Sequence, residues 1–165
     1  FMTENTKISI IIADDNTTWC NLLKKYLEQR DYEIIGTTSD GEEQLEMIKT
    51  LRPNLVITDL KRDKGISGIE VIKRYNEQNI VKTKFLVETG CYYKDQMEVL
   101  EDMGIKHILF KPFVLDRIVE KIEEIKNEDE KNLVTINNCI IENKKSIVEL
   151  IKIKLMNIRI NSRKD

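Results

Sequence analysis

The chain has 165 residues, 41% apolar and 34% charged, with a formal net charge of −2, which suits one ordinary domain plus an extension but not two full domains. No apolar run approaches the ~18 residues of a membrane helix, and the apolar stretch Ile8–Ala13 stops at two acids, unlike a secretory leader. Cys20, Cys91 and Cys139 are too scattered for a disulfide framework or a zinc pattern, and the lone His107 argues against a multi-histidine metal site, so a soluble cytoplasmic protein with no membrane association is expected.

In chain order, "KISIIIA" (7–13) reads as a strand ending at Asp14-Asp15. Trp19, Leu22, Leu23, Tyr26 and Leu27 then recur at helical spacing, with Asn16 or Thr17 as the N-cap. "YEIIGTTS" (32–39) is a second strand, and Asp40-Gly41 turns into a helix carrying Leu45, Ile48 and Leu51. "NLVITDL" (54–60) and "GIEVIKRYNEQ" (68–78) form the third strand and helix. "TKFLVET" (83–89) precedes a helix holding Met97, Leu100 and Met103. "KHILF" (106–110) is the fifth strand, and Val114, Ile118, Ile122 and Ile125 mark the fifth helix. His107 reads as a strand-start residue, Trp19 as packing, Cys20 and Cys91 as small hydrophobes, and Asp63 and Lys64 as solvated loop charges.

Beyond this alternation, "NEDEKN" opens a linker (127–142), followed by a basic helical segment (143–165). That segment has seven basic residues against Glu149 and Asp165, a balance of +5 that leaves −7 on the rest of the chain. A solvated helix face explains such a balance, and a nucleic-acid-facing end is the sharper reading. Ile147, Leu150, Ile151 and Leu155 form an apolar stripe too small to make a core alone.

Five strand–helix units in alternation predict an α/β fold, a parallel sheet with helices on both faces. Strands covered on both faces should be apolar without alternation, as "SIIIA", "LVIT" and "HILF" are. Ligands of such sheets bind beyond the carboxyl ends of the strands. Those ends carry Asp14-Asp15, Asp59, Thr89-Gly90 and Lys111-Pro112. Three clustered carboxylates repel and raise one another's pKa unless a cation joins them, and an all-oxygen set suits Mg²⁺ (or Mn²⁺). A carboxylate on the open side of such a metal could attack phosphorus, with Lys111 and Thr89 stabilising the transferred group. No cysteine or histidine sits with a partner base, and no glycine-rich phosphate loop is present.

The ordered set Asp14-Asp15, Asp59, Thr89 and Lys111-Pro112-Phe113 resembles the receiver domain of two-component response regulators over residues 7–126. The resemblance implies a flavodoxin-like receiver with strand order 2-1-3-4-5 and a C-terminal helical extension. It implies that Asp59 accepts a phosphoryl group from a sensor histidine kinase or a phosphotransfer protein. Asp15 and Asp59 would bind Mg²⁺ directly and Asp14 mostly through water, with the backbone carbonyl of Lys61 completing the protein ligands. Lys111 would contact the phosphoryl group, Thr89 would act as the switch, small Gly90 would leave access, and the bond to Pro112 would be cis. The protein would be a phosphoacceptor rather than an enzyme, and homodimers through the fourth helix, fifth strand and fifth helix are permitted.

Three features depart from the family pattern. "DLKRDKGISG" lacks the usual proline and places Gly68 nine residues after Asp59 rather than eight, so the loop is longer and more charged. The switch-partner position, often Tyr or Phe, is Ile108. These departures define the alternative reading, a degenerate receiver that binds partners without phosphorylation. A small-molecule phosphohydrolase would want an added acid–base residue and a substrate cap, and the sequence offers neither. The tail, "SIVELIKIKLMNIRINSRKD", resembles the opening helix and short apolar strand of the DNA-binding domain of sporulation-type transcription regulators. Contact with DNA is expected only with an output domain.

Overall fold

A computed structural model describes residues 7–161 apart from Lys64, residues 79–82 and Tyr92; the expectations for Lys64 and residues 162–165 lie outside the described residues. The chain alternates strand and helix throughout: β1 (Ser9–Ala13), α1 (Thr17–Glu28), β2 (Glu33–Thr38), α2 (Gly41–Leu51), β3 (Leu55–Asp59), α3 (Gly68–Glu77), β4 (Lys84–Thr89), α4 (Lys94–Asp102), β5 (His107–Phe110) and α5 (Asp116–Asn161). The five strands form one sheet in the order β2-β1-β3-β4-β5, and every neighbouring pair is parallel. This is the doubly wound architecture and the strand order expected.

The sequence sets these boundaries through local chemistry. Asn16 caps α1 by accepting the Trp19 amide at 3.0 Å, Asp40 caps α2 through Glu43, and Ser67 caps α3 through Glu70. Each side chain satisfies an amide that the first helical turn leaves unbonded. The strands are apolar because helices cover both faces: Ile10, Ile11, Ile12 and Ala13 are all fully buried. One core gathers Ile11, Leu45, Ile48, Val56, Val71, Ile72, Phe85, Val87 and Leu100. Alternation along the strands turns Ile10, Ile12, Ile57 and Leu86, also fully buried, to the opposite face. The buried residues of α1 are Cys20, Leu23 and Leu27. Burying each such large aliphatic side chain contributes about 2 kcal/mol, so the sheet interior is the main source of stability.

The described chain divides into two compact units after Glu123. The first is the sheet with its covering helices. The second is helical from residue 124 to 161. Segment 127–142, expected as a linker, is therefore helix. Its charge density suggested a break, but it contains no glycine or proline to interrupt a helix. Residues 143–161 continue this helix, their apolar residues recurring at three- and four-residue spacing. Leu133, Val134, Ile136, Ile140, Ile141, Ile147, Val148 and Ile151 are exposed on this second unit; the side chains of Leu150 and Leu155 lie outside the described residues. Among the described residues no helix is long and apolar enough to cross a membrane.

Candidate functional site

The end of β1 is pinned before it carries any charge. The Asp14 amide donates to Thr38 O at 3.1 Å, and Cys20 Sγ donates to Asp14 O at 3.3 Å. Asp14 Oδ1 then accepts the Asn16 amide at 2.8 Å, so the residue that caps α1 also fixes the first acid. Asp14 is 2% exposed, whereas Asp15 is half-buried. β1 and β3 pair in parallel, and Asp59, the last residue of β3, is buried at the same edge of the sheet. Ligand oxygens of Asp14, Asp15 and Asp59 all lie within 4.8 Å of one another, close enough to share one cation.

The opposing charge comes from the residue that follows β5. The Lys111 amide donates to Thr89 O at 2.8 Å, which holds the two strand ends together. Lys111 Nζ donates to Asp14 Oδ2 at 2.7 Å and lies 3.7 Å from Asp59 Oδ1. The Lys111–Pro112 bond is cis. Thr89 Oγ1 bonds locally, accepting the Cys91 amide at 3.3 Å and donating to Cys91 O at 3.2 Å. A Cβ placed on Gly90 would meet nothing within 4 Å. A cavity of about 570 Å³ opens here, lined by Asp59, Lys61, Thr89, Gly90, Tyr93 and Lys111 among others. Ile108 is not part of that lining and packs, partly buried, against the core.

Burial pushes the Asp59 carboxyl up, aided by Asp14 and Asp15, while Lys111 and Arg62 pull against it. Burial pulls the Lys111 ammonium down, but Glu88 and the bonded Asp14 outweigh it and the net shift is upward. The site thus favours charged lysine beside a carboxylate cluster that still wants positive charge.

Two residues that the sequence reading passed over belong to this site. Glu88 is fully buried on β4, paired in register with Asp59, and accepts the Trp19 Nε1 proton at 2.8 Å. Its Oε2 is buried without a hydrogen-bond partner among the described residues. The signal was available, because an acid inside "KFLVET", a strand covered on both faces, has no route to solvent. Trp19, read as packing, also meets Phe113 edge-on with ring centroids 5.8 Å apart. Arg62, within a charge-dense loop, turns inward to Ala13 O, Gln44 and Thr58; nothing in its local sequence distinguishes it from a solvated arginine.

Comparison with known proteins decides the family: the model of the response regulator receiver domain matches residues 10–123. The chain belongs to the response regulator receiver family. This receiver is 30% identical over 114 residues to the transcriptional regulatory protein PdtaR of Mycobacterium tuberculosis, a match covering 69% of this chain and 54% of that protein. The chain thus spans about half the length of the curated relatives it matches. Among solved structures, this receiver is similar to a CheY-like receiver domain protein from Methanospirillum hungatei JF-1 (25% identity, TM-score 0.71, 77% of this chain and 99% of that one). Its fold also matches that of a LuxR-family DNA-binding response regulator from Staphylococcus aureus (23% identity, TM-score 0.67, 72% and 98% covered). Receiver domains serve two-component signalling, and that is the setting of this chain.

Proposed function

We propose that the protein is a stoichiometric phosphoacceptor whose Asp59 takes a phosphoryl group from a histidine kinase or a phosphotransfer protein. The observation that carries this reading is the placement of Asp59 between two further acids and the Lys111 ammonium, at the wall of an open cavity. An Asp59 carboxylate oxygen attacks phosphorus in a partner's phosphohistidine. The new P–O bond forms as the P–N bond breaks, and the electron pair returns to the imidazole nitrogen, which takes a proton from solvent. Lys111 stands ready to neutralise the transferred group, since Nζ already lies 3.7 Å from the acceptor carboxylate. The Thr89 hydroxyl exchanges its local bond with Cys91 O for a phosphoryl oxygen.

The three-carboxylate donor set, all oxygen and within 4.8 Å, fits a hard divalent cation such as Mg²⁺ or Mn²⁺. Asp14, Asp15, Asp59 and the Lys61 carbonyl are the groups that would hold it. When bound, it supplies positive charge against the peripheral phosphoryl oxygens. Phosphorylation would switch the face around α4 and β5, where Val99 and Phe110 are exposed, a surface suited to a homodimer. Control of transcription would follow through an output domain, as the name of PdtaR, a transcriptional regulatory protein, suggests for that protein. A cytoplasmic setting fits a kinase partner.

The test is intact mass after incubation with acetyl phosphate, with and without Mg²⁺, on wild type and Asp59→Asn, repeated with a histidine kinase as donor. A Mg²⁺-dependent gain of one phosphoryl group, lost in the variant, is expected. Uptake that survives Asp59→Asn removes the assignment, and no uptake from either donor favours a phosphorylation-independent binding module.

A further inference from the structure

The loop after Asp59 carries a guanidinium for which the proposed chemistry has no use. Arg62 Nη2 donates to Ala13 O at 3.0 Å, to Gln44 Oε1 at 2.6 Å and to Thr58 Oγ1 at 3.0 Å. Gln44 and Thr58 are fully buried, so the anchors of this cation are themselves fixed. Arg62 Nε and Nη1 are buried with no hydrogen-bond partner among the described residues. Hydrogen bonds alone therefore do not compensate the burial of this charge.

What offsets part of it is the field of the acid cluster: Nη2 sits on the carbonyl of the residue before Asp14 and the hydroxyl of the residue before Asp59, and Arg62 lines the same cavity as Asp59 and Lys111. Burial pulls the Arg62 guanidinium down, and Asp14, Asp59 and Asp15, in that order, oppose the pull without reversing it, so the net shift is downward. These are the three carboxylates of the candidate metal site. The same loop touches the cluster again one residue on, where the Asp63 amide donates to Asp15 Oδ2 at 3.2 Å. Three carboxylates thus face two cations, which differ in freedom. Lys111 is a flexible chain, 30% exposed, free to follow a phosphoryl group. Arg62, held by three acceptors, stays.

We propose that Arg62 is a resident counter-charge of the acid cluster, a positioning residue that steadies Asp14, Asp15 and Asp59 without metal and weakens their hold on Mg²⁺. The inference rests on the metal-site reading above. Its consequence is a receiver that becomes competent only at a higher Mg²⁺ concentration than the carboxylates alone would set. A unit charge buried a few ångströms from a divalent ion costs about tenfold in affinity even at a water-like effective dielectric.

The test is Mg²⁺ titration of the full chain, followed by the fluorescence of Trp19, the single tryptophan, and by calorimetry. Wild type is compared with Arg62→Met, Arg62→Gln, Arg62→Lys and Gln44→Met. Both charge-removing variants should bind Mg²⁺ about tenfold tighter, and their metal-free forms should unfold at lower urea than wild type. Arg62→Lys, which keeps the charge, and Gln44→Met, which removes one anchor, should stay within about twofold of wild type. Equal or weaker binding by Arg62→Met and Arg62→Gln overturns the proposal, because a mere loop strut would give that result. Tightening by Gln44→Met to the same degree overturns it too, as geometry would then account for the effect. Should both charge-removing variants stay unfolded even in saturating Mg²⁺, the proposal also falls, since the metal should replace the lost charge. A wild type without any Mg²⁺ response removes the metal-site reading and this proposal together, whereas equal constants throughout remove the proposal alone.

Discussion

Lys111 and Asp14, 97 residues apart in sequence, are joined by a 2.7 Å bond from Nζ to Oδ2, with the acid 2% exposed at its side chain. Removing the cation leaves that buried carboxylate uncompensated. Lys111→Met should cost about 2 kcal/mol in metal-free urea unfolding, less than a fully buried pair because the lysine is partly exposed. Saturating Mg²⁺ should recover most of this loss. A loss that Mg²⁺ leaves unchanged would mean that Lys111 stabilises through packing.

Glu88 makes stability depend on pH. Burial, partly opposed by Lys111 and the Trp19 bond, pushes its carboxyl from an ordinary 4.5 up to about 7. The folded protein therefore keeps a proton that the unfolded chain releases. The corresponding stabilisation is fully present below pH 4.5 and is lost as pH rises through 7. Relative to Glu88→Gln, metal-free wild type should lose roughly 3 kcal/mol across that window. Parallel stability profiles for the two proteins would show that Glu88 does not titrate there.

Thiol chemistry should separate the three cysteines. Cys91 and Cys139 are exposed. Burial and the nearby Asp14 push the Cys20 thiol up to about 11, which leaves little thiolate at neutral pH. A disulfide reagent at pH 8 should release two equivalents quickly and a third only on unfolding. Three fast equivalents would contradict the tight seat of α1 on β1.

Gly68 is required by contact. A Cβ there would lie 2.2 Å from Asp59 O, where the Gly68 amide also donates to Leu60 O at 3.0 Å. Gly68→Ala should force the loop away from the acceptor, costing about 2 kcal/mol and slowing phosphoryl uptake at saturating Mg²⁺. Unchanged uptake would show that the loop accommodates the methyl without moving Asp59.

Much of this was legible in the sequence because doubly wound sheets concentrate polar residues at strand ends. Asp14, Asp59 and Lys111 each follow a largely apolar run, so chain order alone brings them to one edge. The start of α1 at Asn16 or Thr17 and the turn at Asp40-Gly41 were visible for a similar local reason, and the structure makes Asn16 and Asp40 the caps. Arg62 was not legible, because its partners Gln44 and Ala13 come from other elements and only the folded chain brings them together. The helical course of 127–142 was not legible as such, because its charge density drew the eye and the absence of glycine and proline carried less weight.

Gly68 and Gly90 flank the same acceptor under opposite constraints. One has no room for a single carbon, while the other faces open space. Sequence drift is therefore channelled: the floor of the chemistry is frozen, but its doorway is a free position. Natural variation or an engineer could fit larger side chains at Gly90 to admit or exclude water, resetting how long the signal lasts without rebuilding the scaffold.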